Sequence, residues 1–123
     1  MRSLVLVAGL SLFSFSAAVA SDDRPDHSEG LPSATLQEAL SNLATYNRQL
    51  AELVALESLT PQQMHEVHML TYTLENALER IDDEVDDMAE DLEAVHQASE
   101  HADPDTVKTK GAAYLEASGG FHQ

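Results

Sequence analysis

The chain contains no cysteine and no tryptophan, and glycine, proline, aromatic and basic residues are all scarce. Without cysteine there can be no disulfide, no thiol nucleophile and no covalent C-x-x-C-H haem attachment. Six Lys and Arg against 22 Asp and Glu leave a formal charge of -16. That charge opposes nucleic acid and anionic lipid, and favours solubility, cations or a basic partner. The first apolar run, Leu4 to Phe15, is too short for a lasting membrane span, and no longer one follows. No stable membrane insertion is therefore expected. Period-two alternation is missing too, so no strands are expected.

What is present begins with a leader. Met1-Arg2-Ser3 carries a positive charge, the apolar run follows, and Ala18-Val19-Ala20 is a small-x-small cleavage site. Residues 1–20 read as a secretory signal peptide cut after Ala20, which implies a periplasmic or secreted protein. No cysteine follows the run to carry a lipid. Ser21 to Gln123 suffices for one small domain.

Residues 21–32 form a polar, extended arm with two prolines and one glycine. The helical domain is expected over 33–118, with helices at about 35–57, 61–102 and 104–117, and a tail at 119–123. Thr35 and Glu38 fit a capping box, and Leu36, Leu40, Leu43, Leu50 and Leu53 follow at three-four spacing. Thr60-Pro61-Gln62-Gln63 is a second start signal, and Asp103-Pro104 a third. Between Pro61 and Pro104 there is neither glycine nor proline.

This central stretch keeps one seven-residue phase. Position a is Met64, Thr71, Leu78, Val85, Leu92 and Ser99; position d is Val67, Leu74, Ile81, Met88, Val95 and Ala102. Such a period predicts coiled-coil packing along a helix roughly 60 Å long. Leu70 and Ala77 at g widen the apolar face of the first half. From Asp82 to Glu93 eight of twelve residues are acidic, none at a or d. Like charges four apart, such as Asp82–Asp86 and Asp87–Asp91, cost roughly 1–2 kcal/mol together. The helix is either continuous through this block or broken near Asp82–Asp87, where a four-helix bundle could close on itself. The expected fold is all-α, an antiparallel helical bundle or coiled coil with one long central helix flanked by two shorter ones. Its uncovered apolar face predicts a homodimer or a protein partner.

His65 and His68 lie about a turn apart and can share a metal ion, and His96 occupies the same heptad position as His68. In one straight chain His96 is about 40 Å from His68, whereas an antiparallel dimer brings the two together. Copper or zinc is the ion this set would take; no other cofactor is expected. Against it stands the ordinary reading of polar residues beside a packing stripe. Glu93-x-x-His96 has di-iron spacing but no second copy of the motif. His65-Glu66-Val67-His68 is one residue short of the zinc-protease motif, and the acidic block lacks a calcium loop's glycine. Thr71 is expected to bond its own helix carbonyl, and Tyr46 to meet Tyr72. No nucleophile-base arrangement or phosphate loop is present, so no enzyme is expected. A binding or structural module is the leading reading, with metal binding the alternative.

The segments DDRPDHSEG, TLQEALSNLATYN, HEVHMLTYTLENALERI and LEAVHQASEHADPDTVK…AYLE, in that order, resemble an uncharacterised family of small exported bacterial proteins, a domain of unknown function. The resemblance covers nearly the whole chain after the leader. It implies a periplasmic, all-helical protein and supplies no catalytic residue. It also implies that Arg24, Asp26 and His27 of the arm dock on the bundle or on a partner.

Overall fold

A computed structural model describes residues 29–122. The leader, the cleavage site and Arg24, Asp26 and His27 lie outside the described residues. The fold is all-α: α1 (Leu36–Val54), α2 (Pro61–Glu100), α3 (Pro104–Gly119) and a final 3-10 turn at Gly120–His122. Among the described residues there is no strand, and no helix is long and apolar enough to cross a membrane.

Each helix starts where a local signal places it. The Glu38 amide donates to Thr35 Oγ1 at 3.2 Å. The Glu38 carboxylate reaches back one residue further than a simple capping box requires, accepting from the Ala34 amide at 2.7 Å. At Thr60 the box is reciprocal: the Gln63 amide donates to the threonine hydroxyl, and the Gln63 side-chain oxygen accepts from the Thr60 amide. Asp103 accepts from the Thr106 amide at 3.2 Å, with Pro104 at the first helical position, where its missing N–H costs nothing.

The helix ends are less faithful to expectation. α1 stops at Val54, not Glu57, because the backbone tightens to an i,i+3 bond from the Leu56 amide to Leu53 O. α2 stops at Glu100, not Ala102. There the Asp103 amide donates to Ala98 O and the Ala102 amide to Ser99 O, with Ala102 at φ 54. This is a Schellman stop built on alanine where glycine is usual. The expected tail instead continues α3 to Gly119 and returns to α1 through the 3-10 turn. A Cβ on Gly120 would sit 2.9 Å from Leu36 Cδ2, so a larger residue there would make the leucine side chain give way.

α2 is continuous over its 40 residues, so the acidic block does not break it. α1 and α3 pack antiparallel to α2 and end to end on the same side of it, the end of α3 meeting the start of α1. The heptad seam is not buried as one unit. The residues of α2 that this packing buries are Leu70, Thr73, Leu74, Ala77 and Ala98, on the d and g side with Thr73 beside it. The a row faces away from α1 and α3. The period of seven marked the apolar stripe correctly, but the short helices take its d edge and leave its a edge open.

The arm is not wholly extended away from the bundle. Gly30 adopts φ 66, and a Cβ there would come within 2.7 Å of the Thr73 amide nitrogen. The Leu31 amide donates to Thr73 Oγ1 at 2.9 Å, and Asn76 Nδ2 donates to the carbonyls of Glu29 and Leu31 at 2.7 and 3.0 Å. On α1, Asn42 Nδ2 reaches Ser33 Oγ at 3.1 Å. The end of the arm therefore closes one side of the α1–α2 pair.

Candidate docking surface

The side opposite the arm is open and apolar. Along α2 the a residues Met64, Leu78, Val85 and Leu92 are 54%, 54%, 45% and 47% exposed. Isolated exposed apolar residues are ordinary; four in a single helical row are not. The polar members of the row are folded back on the helix: Thr71 Oγ1 donates to His68 O and Ser99 Oγ to His96 O, both at 2.7 Å. Thr71 thus behaves as its position suggested.

The row does not stand alone. Val54 follows Asn42 by twelve residues, which at 100° per residue turns it about 120° away from the arm side of α1. It is 69% exposed. On α3, Lys108 shares a shallow cleft with Ser99, the last a residue. Leu115, one heptad after Lys108, lies on the same flank and is 67% exposed. Three helices therefore contribute large apolar side chains to one side of the molecule. Between Leu78 and Val85 the surface dips into a depression of about 530 Å³ lined also by Glu79, Ile81 and Asp82.

Acidic residues rim this surface. Two of the chain's few cations are held elsewhere in ion pairs. Arg80 binds Glu84, whose hydrogen bond and charge raise the guanidinium's already high pKa. Lys110 binds Asp91 at 2.8 Å, which raises the lysine pKa in the same way. Both pairs are partly solvated and add little to stability, and Lys108, beside Ser99, is the cation placed nearest the row.

The histidines fall in two places. His65 and His68 stand together with ring centroids 6.3 Å apart, and His68 Nε2 lies 3.2 Å from the Tyr72 hydroxyl. Tyr72 thus turns to His68 rather than to Tyr46, which lines a separate cleft with Leu31, Met69, Leu70 and Thr73. His96 sits beyond the acidic block, 3.5 Å from Glu100 Oε1. On a continuous helix it is roughly 42 Å from His68. The described residues contain no group of three or more His, Asp or Glu side chains placed to hold one ion.

Sequence reading found the apolar stripe and its phase but not which row stays open. It also missed the seat of the arm on Thr73 and Asn76. The signals for that seat were a glycine two residues before a proline in the arm, and a lone asparagine on a helix.

No curated protein and no solved structure matches the chain. One family model matches it over residues 1–123, and the chain belongs to that family, a family of unknown function, DUF6746.

Proposed function

We propose that this protein is an exported docking module, periplasmic or secreted, which holds another helical surface against the a row of α2 and performs no chemistry of its own. The observation that carries the reading is the in-phase exposure of Met64, Leu78, Val85 and Leu92 on a continuous helix. A seven-residue apolar period left half unused within the chain matches the requirement of a partner helix, whose side chains fit between successive layers. The leader reading supports export. The acidic rim supports selectivity, because it repels other acidic surfaces unless their charges are offset along the axis.

The test is site-specific photo-crosslinking in cells exporting the full chain. A photoreactive residue at Leu78 or Val85 should give one discrete protein adduct. The same residue at Glu90, exposed and off the row, should give none. Adducts from Glu90 with none from Leu78 or Val85 would overturn the proposal.

A further inference from the structure

We infer that the occupant of the open row is a second copy of this chain, lying antiparallel so that Leu78 faces Val85 of the other copy. This rests on the docking reading above and names its partner.

The fold leaves a shape that a second copy complements. α1 covers the first half of α2 and α3 the second, both on the d side. Turning a second copy end for end and apposing the a rows sets d edge against d edge. The α1 of one copy then lies alongside the α3 of the other. Each end of the dimer becomes a four-helix arrangement, and Val54 and Leu115 come under cover with the row.

The area of the open face also suits a second copy. The row from Met64 to Leu92 is roughly 42 Å long, and with the adjoining helix it is about two helix diameters wide. That face offers about 800 Å² per copy, which is the contribution of one partner to a stable interface. A single helix laid on α2 alone would cover only about half of it.

Charge selects the antiparallel arrangement. In a parallel pair the acidic blocks Asp82–Glu93 would lie level with one another. In the antiparallel pair each block lies level with Leu70–Ile81 of the other copy, a segment whose only charged residues are Glu75, Glu79 and Arg80. Only Asp82 meets its own equivalent, near the axis. A chain with a net charge of -16 can self-associate most readily in the arrangement that separates its acidic blocks. The same alignment brings His68 to within about 1.5 Å, along the axis, of the level of His96 of the other copy.

The chain's freedom from cysteine makes the test direct. Leu78→Cys and Val85→Cys are prepared separately in the full chain, and each is oxidised alone and after mixing. In the antiparallel pair residues 78 and 85 are level, whereas two copies of residue 78 are about 10 Å apart along the axis, beyond disulfide reach. The mixture should form a 78–85 disulfide at least about tenfold faster than either variant forms its own, reflecting the local concentration of the facing thiol. Fast self-linking of each variant would mean a parallel pair and would overturn the inference while leaving the docking reading intact. A monomeric sedimentation mass for the unmodified chain, with no preferred disulfide, would also overturn it. A foreign protein in the cellular adduct at Leu78 would then separate failure of the second copy from failure of docking altogether.

Discussion

The two halves of α2 share one helix and one heptad phase, yet they are held differently. From Met64 to Arg80 the helix lies between α1 and the end of the arm, and four of its five buried residues are here. From Ile81 to Glu100 it has α3 alone, a run of carboxylates and a single buried residue, Ala98. The contrast shows that periodicity specifies which side of a helix is apolar, while the number of neighbours decides how much that side stabilises. The first half anchors the monomer. The second half is held mainly by being continuous with the first.

The largest expected effect tests that contrast. Leu74→Ala, at a site only 8% exposed, should cost about 2–4 kcal/mol in urea unfolding. Val95→Ala, at the same heptad position but half-buried, should cost about 1 kcal/mol. Equal losses would erase the distinction between the halves. Next comes the arm. Thr73→Val keeps the shape but strands the Leu31 amide, and should cost about 1–2 kcal/mol. Amide exchange at Leu31 should quicken while exchange around Ala98 stays unchanged. Parallel changes at both places would mean that the arm does not belong to the first half specifically.

A smaller gain is expected at the far end. Ala102 bears φ 54, which glycine adopts without strain, so Ala102→Gly should raise stability by about 1 kcal/mol. A loss would show that the alanine methyl packs usefully there. The smallest effect is a pH dependence confined to α3. Thr106, through its hydroxyl and then its amide, holds the Asp103 carboxyl below its ordinary 3.8. The folded state favours the charged form. Its contribution is therefore complete above 3.8 and is lost as pH falls through the folded-state value. Nuclear magnetic resonance should show α3 fraying from Pro104 below that point. In Asp103→Asn, which caps without titrating, this acid step should vanish. An unchanged step would assign it to other carboxylates.

Much of this architecture was legible because it is local. Thr35, Thr60 with Gln63, and Asp103 with Pro104 mark three helix starts through contacts three residues long. The helix ends were misplaced because their causes are not written in residue type: α1 ends in a 3-10 tightening with no breaker, and α2 ends on an alanine in a glycine conformation. The docking of the arm depends on Gly30 approaching Thr73, more than forty residues away, and no local pattern reports that. As for the candidate surface, the a row was visible as half of a seam. Its exposure was not, since a seven-residue period is the same whether a helix is gripped on its d edge, its a edge or both.

If the a row is where two copies of this chain meet, a charge placed in it must separate them. Sedimentation equilibrium of the chain from Ser21 onward, beside a Leu78→Glu variant whose circular dichroism confirms an intact helix, measures this. A dimeric mass is expected for the native chain, falling to the monomer mass in the variant, because the new carboxylate is placed in an apolar layer already rimmed by acid. Equal masses for the two proteins, whether both monomeric or both dimeric, would contradict it.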